Sequence, residues 1–449
     1  MNPELSPTDP KYEIVVTSII NLTSIKFDRQ HNVIVVLTQS QDAQTVITPN
    51  TTLVIDIISK RVLEKETKGI VFIAAEDSLD FDELTPIVQQ LYKDKHPDGI
   101  ALFIPYKLPP MLSQRDDGCV RSFLISPAWL RQDVLSSYFP DFKKLAYNLL
   151  FPYLNSARSK NIDIFQVGKA SAEDNFTGTG DAQLLKRSLL IIPHTGSLAL
   201  LKRCLLHVNQ APSLPGAINI CFDDNGYQKF NADRFDRISN LLKVYANNPC
   251  KVGPYPGRHY SITDTSMEYI FFQDSDDIPV NARFEKQIVE MEKRDLDMVG
   301  SHELRIDQFE QQIMIFRYPL GVTEALAQGA FHPLFHPTAL ISKSAYLRTG
   351  GFSTDRRFGY DSQFLMRSHF YLRSGNIDDF LYIRFKRPNS LTTNAKTKLG
   401  SDLRTFLLWR WITEFRLVKE NKLDLQDSSL SVQKHQFDYN MIDVKGMVK

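Results

Sequence analysis

The sequence predicts an α/β protein whose second half is built on a largely parallel sheet. Three observations indicate this fold class: short apolar runs alternate with segments of helical periodicity, polar loops separate them, and acidic residues follow two of the runs. A chain of 449 residues is too long for one ordinary core, so we expect two domains. A small, polar, glycine-rich stretch at 168–183 predicts the linker between them.

The second half supplies its elements in the order of an α/β fold. Apolar runs at 188–192, 218–222 and 269–272 predict strands. Helical periodicity at 198–208 and 282–291 predicts helices. In open sheets of this kind, ligands bind beyond the carboxyl ends of the strands, which is where we expect the functional residues.

The bulk composition excludes several functional classes. Lys and Arg total 53 against 52 Asp and Glu, so the chain lacks the positive excess that attracts nucleic acid. Its 4 cysteines show no Cys-x-x-Cys pair, which indicates reduced thiols rather than a zinc site or a disulfide scaffold. No signal-peptide pattern opens the sequence, and no apolar run reaches the ~18 residues that span a bilayer. We expect a cytoplasmic protein, with peripheral contact at the inner face of the membrane left open.

Acidic residues follow two of the predicted strands. Asp223 and Asp224 come directly after one strand, and Asp274, Asp276 and Asp277 follow another. We expect both clusters to line one crevice, because the carboxyl ends of parallel strands meet at the same edge of a sheet. Carboxylates this close raise one another's pKa unless positive charge neutralises them. Mg²⁺ or Mn²⁺ prefers carboxylate oxygens and also binds phosphate, so Asp274 and Asp276 are predicted to hold such an ion.

A second interpretation of the acidic cluster is structural. Asp277 is placed to cap a helix that begins near Pro279, since aspartate is a favoured N-cap and proline is favoured in the first turn. Both interpretations hold together if Asp277 caps the helix while Asp274 and Asp276 face a ligand.

The segment 268–277 resembles the metal-binding Asp-x-Asp segment of family 2 glycosyltransferases, which have the GT-A fold, a Rossmann-like α/β fold that binds nucleotide-diphospho sugars. Other segments resemble this family in its order: the opening loop at 193–195, the element at 222–226 that holds base and ribose, and the basic residue Arg258. The resemblance implies that the nucleotide sugar is bound by Pro193, His194, Thr195, Asp223, Asp224, Arg258, Asp274, Ser275, Arg384 and Arg387.

The acceptor side of the family also has counterparts. Its acceptor region, whose acidic residue is the catalytic base, resembles the segments 336–342, 350–352 and 359–361. The resemblance implies that Asp361 is the corresponding base here. A general base must reach the attacking hydroxyl by a hydrogen bond. The alternative for Asp361 is a helix N-cap.

Other candidates have ordinary alternatives. Arg384 and Arg387 are suited to phosphate oxygens, yet they are equally interpretable as surface charges. His332 and His336 have the spacing of metal ligands on a helix, but the prolines that follow them, at 333 and 337, make a regular helix improbable.

The resemblance implies an inverting, metal-dependent glycosyltransferase that works with Mn²⁺ or Mg²⁺. Its donor is a nucleotide sugar, with a UDP-sugar favoured, and its acceptor a saccharide, a lipid-linked molecule or a protein, as in surface polysaccharide synthesis. One alternative is a non-catalytic carbohydrate-binding or scaffold protein with the same fold. Another is a sugar-1-phosphate nucleotidyltransferase, but its Gly-x-Gly-Thr-Arg start is replaced here by the loop at 193–195.

The first half resembles a degenerate copy of the second. The segments 70–80, 124–131 and 161–165 repeat features of 269–277, 340–348 and 376–380. Leu124 to Asn161 is 37 positions and Leu340 to Asn376 is 36. On this alignment Leu79 replaces Asp276 and Ala146 replaces Asp361, so the first copy keeps no catalysis. We expect this GT-A-like domain to serve in support, acceptor binding or a homodimer.

These observations divide the chain into a degenerate GT-A-like domain at 1–180, a catalytic GT-A domain at 181–400 and a C-terminal helix with a polar tail at 401–449. Apolar residues at helical spacing predict that the last helix packs on a core, with docking at a membrane interface as the alternative. Beyond Leu423 the sequence is polar, which predicts fraying. The apolar residues are Leu403, Phe406, Leu407, Trp411, Phe415 and Val418.

Overall fold

The computed structural model contains two compact units. The N-terminal unit comprises Met1–Leu108, Gly118–Asp174 and Glu310–Ile315, and the C-terminal unit comprises Pro109–Asp117, Asn175–Phe309 and Phe316–Lys449. None of the helices in the described part of the chain combines the length and apolar character needed to cross a bilayer. The structure describes residues 12–16, 23–28, 33–38, 69–73, 84, 100–106, 115–125, 129, 132–138, 141–156, 162–167 and 181–442, apart from 250, 281, 389, 395, 396, 399, 436 and 437.

The N-terminal unit contains a sheet with the strand order β1-β2-β3-β4-β7-β5-β8. Two helices follow β7, α1 (Gln132–Tyr138) and α2 (Phe142–Asn155). The strands are β1 (Tyr12–Val16), β2 (Thr23–Asp28), β3 (Val33–Thr38), β4 (Gly69–Ile73), β5 (Ile100–Pro105), β7 (Ser122–Ile125) and β8 (Ile162–Val167), and β6 (Arg115–Cys119) has residues in both units.

The C-terminal unit contains the larger sheet, in which nine described strands follow the order β13-β17-β14-β16-β12-β9-β10-β11-β18. These strands are β9 (Ser188–His194), β10 (Ala217–Phe222), β11 (Leu242–Asn248), β12 (Tyr269–Phe272), β13 (Ile278–Pro279), β14 (Met298–Asp307), β16 (Leu340–Ser342), β17 (Ser374–Lys386) and β18 (Asp438–Ile442), while β15 (Gln312–Arg317) has residues in both units.

Eight helices belong to the C-terminal unit among the described residues. Those predicted at 198–208 and 282–291 are confirmed as α4 and α6, and the three predicted strands are confirmed as β9, β10 and β12. The helices are α3 (Asp181–Lys186), α4 (Leu198–Gln210), α5 (Pro254–Asp264), α6 (Arg283–Lys293), α7 (Val322–Ala327), α8 (Lys343–Arg348), α9 (Tyr360–Ser368) and α10 (Asp402–Lys419).

Parallel pairing brings the ends of three strands together. β9 pairs in parallel with β10 on one side and with β12 on the other. Phe222 of β10 lies opposite His194, and Phe272 of β12 lies opposite Ile191 of β9. The residues that follow β9, β10 and β12 therefore share one edge of the sheet, as the sequence predicts.

Apolar side chains cover both faces of this sheet. In β9, Leu189 and Ile191 join a core with α5, α9 and α10, whereas Leu190 and Ile192 join a core with α4 and α6. This alternation is the ordinary period of a strand. Because both faces are buried, the interior of the strand is apolar and its polar residues, Ser188 and His194, stand at its two ends.

The two units share a strand arrangement. In the first unit β3-β4-β7-β5-β8 pair parallel, antiparallel, antiparallel and parallel. In the second, β9-β12-β16-β14-β17 pair in the same sequence of directions. Numbered along the chain, the strands of each set also appear across the sheet in the same order: first, second, fourth, third and fifth. This agreement supports the predicted duplication.

The registers agree in part with the sequence alignment. Ile70 lies opposite Ile125, and Ile270 lies opposite Ile341. This pairing agrees with the sequence alignment of residues 124–126 with 340–342. When the strand pairing is followed across both sheets, Ile162 aligns with Ser374. The sequence repeat at 161–165 aligns Ile162 with residue 377 instead. At β8 the sequence alignment and the strand pairing therefore differ by three residues. The match of Ala146 to Asp361 depends on that sequence alignment and stays a prediction. Leu79 lies outside the described residues. The strand registers relate Ile70 to Ile270, an offset of 200 positions, whereas Leu79 and Asp276 are 197 apart, so the match of Leu79 to Asp276 also stays a prediction.

The C-terminal helix α10 packs on the core with a narrower stripe than the sequence indicates. Leu407, Trp411 and Phe415 are buried in the core that contains α9. Leu403 and Phe406, which the helical pattern assigned to the same stripe, are 50% and 62% exposed. Helical spacing alone does not separate the two sides of a helix that is apolar on both.

The prediction that the chain frays beyond Leu423 is wrong for the described residues. A 3₁₀ turn spans Leu425–Asp427, Leu430 is fully buried, and β18 pairs antiparallel with β11. The backbone of this segment is bound by polar side chains of α9, and polar composition by itself does not show such partners.

Candidate active site

The loop after β9 forms the first wall of the site. His194 is buried, and its Nδ1 lies 2.9 Å from Oγ of Ser275, which follows β12. Burial lowers the pKa of His194, although the charges of Asp224 and Asp276 oppose this shift. Thr195 Oγ1 donates to Asp224 Oδ2 at 3.2 Å. These contacts join the ends of β9, β10 and β12.

The two acids after β10 have different roles in the structure. Asp223 is buried, and it accepts hydrogen bonds from the backbone N–H groups of Val252 and Gly253, both at 2.8 Å, and from Asn247 Nδ2 at 3.1 Å. Burial raises the pKa of Asp223, and these hydrogen bonds oppose the rise. Asp224 accepts from Gly226 N at 2.7 Å. Asp223 thus holds the loop that leads into α5, and its predicted contact with a nucleotide stays a prediction.

The acidic cluster after β12 is compact and carries an arginine on each of its two more exposed members. Asp274 Oδ1 accepts from Arg258 Nη2 at 2.6 Å, and Asp276 Oδ2 accepts from Arg387 Nε at 2.7 Å. Ligand oxygens of Asp274, Asp276 and Asp277 all lie within 4.8 Å of one another. Partial burial raises the pKa of Asp274; Arg258 opposes this, and Asp276 adds to it.

Asp277 is not a helix cap, so that interpretation is wrong. Residues 278–279 form the short strand β13, and α6 begins only at Arg283, with Ala282 as its N-cap. The Asp277 carboxylate instead accepts from Tyr382 Oη at 3.0 Å and from Phe385 N at 2.8 Å. Burial raises the pKa of Asp277 well above its usual range, which disfavours its charged form.

Arg384 of β17 and Arg387, which follows that strand, are not ordinary surface charges. Arg384 is 19% exposed at its side chain and lies 3.7 Å from Glu303, with its guanidinium 4.5 Å from the centre of the Phe335 ring. Arg387 is 25% exposed and pairs with Asp276. The site therefore holds three guanidiniums, counting Arg258, around its carboxylates.

Asp361 lies in the first turn of α9. The N-cap of that helix is Gly359, with φ at 87°, so the capping interpretation of Asp361 is wrong. Tyr255 of α5 donates from its hydroxyl to Asp361 Oδ1 at 3.1 Å, and the amide of Asp361 donates to the same hydroxyl at 3.4 Å. Asp361 is close enough to Asp274 for its charge to help raise the pKa of Asp274, after burial and the charge of Asp276. The two carboxylates belong to one electrostatic environment.

Among the described residues, neither His332 nor His336 belongs to a group of three or more side chains with metal-ligand spacing. His336 is buried in an aromatic cluster, with its ring centre 4.3 Å from Phe272 and 5.1 Å from Phe352. Burial lowers the pKa of His336 well below its usual range. Among the described residues, the group with metal-ligand spacing is the aspartate triad.

Several residues of the site are not recognisable from the sequence. Arg203 of α4 donates to the backbone carbonyl of Asp276 and stacks on Phe385 at 3.6 Å. Arg283 is buried and donates to Gln273 Oε1 at 2.7 Å and to the carbonyl of Phe272 at 2.7 Å, which fixes the end of β12. The sequence signal for Arg203 is that it is the single arginine of a largely apolar helix, which does not show that it reaches the site.

No family model matches the chain, and no curated protein is similar to it in sequence. Solved structures are similar to it over about half of its length. S. aureus TarS 1–349 in complex with UDP-GlcNAc is 15% identical, with 51% of this chain and 66% of that chain covered and a TM-score of 0.41. A structure of S. aureus TarS is 13% identical over 51% of this chain and 39% of that chain, with a TM-score of 0.40.

GalNAc-T7 with UDP, GalNAc and Mn²⁺ is 11% identical, with 55% of each chain covered and a TM-score of 0.39. The chain thus spans 66% and 39% of these two TarS chains and 55% of the GalNAc-T7 chain.

Proposed function

We propose that the chain is an inverting, metal-dependent glycosyltransferase that transfers a sugar from a nucleoside-diphosphate donor, with UDP favoured as the nucleotide. The observation that carries the proposal is the cluster of Asp274, Asp276 and Asp277 that follows β12, with Arg258 and Arg387 bound to two of these acids and Asp361 near enough to influence the pKa of Asp274. A nucleotide sugar brings a negatively charged diphosphate and needs a base for the acceptor. In this proposal the acids with their metal ion and the arginines bind the diphosphate, and Asp361 is the base.

The carboxylates fit a divalent cation. Asp274 and Asp276 offer the hard oxygen ligands that Mg²⁺ and Mn²⁺ prefer, while Asp277 is bound to β17. When bound there, the ion supplies positive charge that stabilises the departing diphosphate. Arg258 and Arg387 now neutralise these acids, and phosphate oxygens would offer the two guanidiniums alternative acceptors.

The remaining residues orient the donor and the acceptor. Arg258, Arg384 and Arg387 surround the place of the diphosphate, and His194 and Ser275 connect the loops on either side of it. Asp361 takes the proton from the acceptor hydroxyl as that oxygen attacks the anomeric carbon. Tyr255 fixes the carboxylate of Asp361, since its hydroxyl contacts both the side chain and the amide of that residue.

The N-terminal unit takes no catalytic part in this proposal. Five of its strands have the arrangement of five strands of the C-terminal unit, and the sequence alignment puts Leu79 in the place of the metal ligand Asp276. Leucine offers no ligand atom to a cation. We infer that the unit is a duplicated GT-A-like domain that serves in support, in binding the saccharide, lipid-linked or protein acceptor, or in a homodimer.

The test of this function separates the two acidic roles. With a panel of sugar nucleotides and Mn²⁺, we expect Asp276→Asn to abolish release of the nucleoside diphosphate and to weaken nucleotide binding in calorimetry. Asp361→Asn should keep donor binding and lose transfer. The matched control is Asp233→Asn, an exposed aspartate outside the site, which should behave as the unmodified protein.

Two results would contradict the proposal. Full turnover in Asp276→Asn or Asp361→Asn removes that residue from the mechanism. If no sugar nucleotide binds and no diphosphate is released, the non-catalytic carbohydrate-binding alternative replaces the enzyme.

A further inference from the structure

A cavity of the C-terminal unit lies outside the proposed donor site. It is a half-open cleft of about 340 Å³ between the residues around the start of α9, the middle of α10 and the segment 426–433. Its volume falls within the range of roughly 300–1,000 Å³ that is usual for sites of small ligands. Nothing in the proposed reaction so far uses it.

The charge of the cleft is balanced. Arg356 and Arg410 contribute two guanidiniums, and Asp355 and Asp427 contribute two carboxylates. An excess of one sign would favour an ion of the other, such as a phosphate or a cation. The balance favours an uncharged polar ligand. Most of the other lining residues bear amides and hydroxyls, among them Gln363, Gln426, Ser429 and Gln433.

Several of these polar groups have no protein partner. Within the described part of the chain, Arg356 forms neither a hydrogen bond nor an ion pair, and its guanidinium lies 5.4 Å from the ring centre of Tyr360. The side chains of Gln426 and Asp427 are likewise unpaired with any described residue. A ligand rich in hydroxyls can donate to the carboxylate and accept from the guanidinium at once.

The wall of the cleft is already formed. Thr354 N donates to Gln433 O at 2.8 Å, and Gln433 N donates to Ser353 Oγ at 3.0 Å. Gln363 Nε2 donates to Ser429 O at 2.7 Å. A wall that is fixed before binding reduces the entropy lost when a ligand is bound.

The cleft and the proposed base share one helix. Tyr360 and Gln363 line the cleft, and Asp361 lies between them in α9. The Tyr360 ring packs 5.5 Å from Tyr255, which holds Asp361. A saccharide in the cleft is therefore positioned by the same helix that carries the base.

We propose that this cleft binds sugar units of the acceptor, as a subsite for uncharged saccharide hydroxyls. The inference rests on the proposed glycosyltransferase function, because it assigns the acceptor of that reaction to the saccharides. Arg356 and Asp427 are the side chains that contact the hydroxyls.

The experiment measures retention of the full, fluorescently labelled chain on an array of immobilised saccharides. We expect the unmodified protein to be retained by a subset of saccharides. Arg356→Ala and Asp427→Ala should lower this retention about tenfold or more, since each removes a charged hydrogen-bonding group. Asp424→Ala is the matched control, because this exposed aspartate lies three residues from Asp427 and outside the cleft.

Binding of UDP, measured by calorimetry on the same four proteins, separates the two proposals. If UDP binds and the array retains nothing, or the cleft variants are retained unchanged, the cleft inference is overturned and the proposed function stands. If no nucleotide binds but retention depends on Arg356 and Asp427, the cleft stands as a carbohydrate site and the proposed reaction fails. Asp427 is exposed, so its replacement leaves the fold intact and keeps the result interpretable.

Discussion

At the scale of single residues, the site depends on side chains that pair across long stretches of sequence. Asp361 is held by Tyr255, and Asp276 by Arg387, in each case more than 100 positions away. Asp276 is predictable from the sequence because its cluster directly follows an apolar strand, whereas Asp361 is identified by the resemblance of its segment to a known family. Their partners are not, since nothing in the local pattern of a tyrosine or an arginine shows which carboxylate it reaches.

The hydroxyl of Tyr255 provides a test at this scale. Tyr255→Phe keeps the buried ring but removes the group that fixes the Asp361 carboxylate, so the base is less often aligned with the acceptor. We expect kcat for transfer to fall about tenfold, equivalent to roughly 1.4 kcal/mol, with KM for the donor unchanged. Steady-state kinetics measure both constants.

The control for this variant is Tyr371→Phe, which removes the hydroxyl of a tyrosine that is 37% exposed. It should leave kcat unchanged. An equal loss in both variants, or a rise in the donor KM of Tyr255→Phe, would show that Tyr255 does not position the base.

At the scale of elements, strands and helices of the second half follow from the sequence more closely than the segment at its end. β9, β10, β12, α4 and α6 lie where apolar runs and helical spacing place them. The segment after α10 does not, because it is held by hydrogen bonds to its backbone rather than by its own apolar pattern. Arg367 and Gln363 of α9 make those bonds, and only tertiary structure reveals them.

Arg367 gives a test of how firmly this segment is held. Its guanidinium is buried and donates to the carbonyls of Leu430 at 2.6 Å and Thr349 at 2.9 Å, and also to that of Gly351. Arg367→Met leaves three carbonyl groups without these donors. We expect a loss of ~3 kcal/mol or more in the free energy of unfolding, since each unpaired buried group costs about 1–3 kcal/mol.

Differential scanning calorimetry measures this loss as a fall in Tm of roughly 6–12 °C. The matched control is Arg373→Met, whose side chain is 62% exposed and pairs with Asp295 at the surface. That change should alter the Tm by about 2 °C or less, as expected for a surface ion pair. A similar Tm in both variants would mean that Arg367 does not anchor the segment.

At the scale of the whole molecule, the protein is expected to be sensitive to acid. Burial lowers the pKa of His207 to about 4, and the charge of Arg203 adds to the shift. Burial also lowers the pKa of His259 to about 4 and that of His336 well below its usual range. Each of these histidines is neutral in the folded protein at neutral pH.

The sign of the effect follows from which state binds the proton first. An unfolded histidine has a pKa of about 6.5, so the stability due to neutral His207 is complete above that pH. It is lost as the pH falls from about 6.5 through 4, where the unfolded chain is protonated before the folded one. The contribution of His207 alone is of the order of 3 kcal/mol.

Urea unfolding at pH 7, 5.5 and 4 tests this prediction. His207→Leu should flatten the decline of the free energy of unfolding with falling pH, because it removes one of the groups that must be protonated. His435→Leu, at an exposed position, should keep the decline of the unmodified protein. An unchanged decline in His207→Leu would contradict the assignment.

Because the segment after α10 is held against the core by α9, it limits how far the chain can be shortened. A domain boundary placed at residue 400 from the sequence would remove Trp411, Phe415 and Leu430. These three side chains are buried in the core that contains α9. A minimal catalytic fragment trimmed at that boundary would expose the apolar underside of the helix that bears Asp361. The smallest fragment suitable for enzymology therefore extends at least through residue 435, whose backbone still bonds to Thr354.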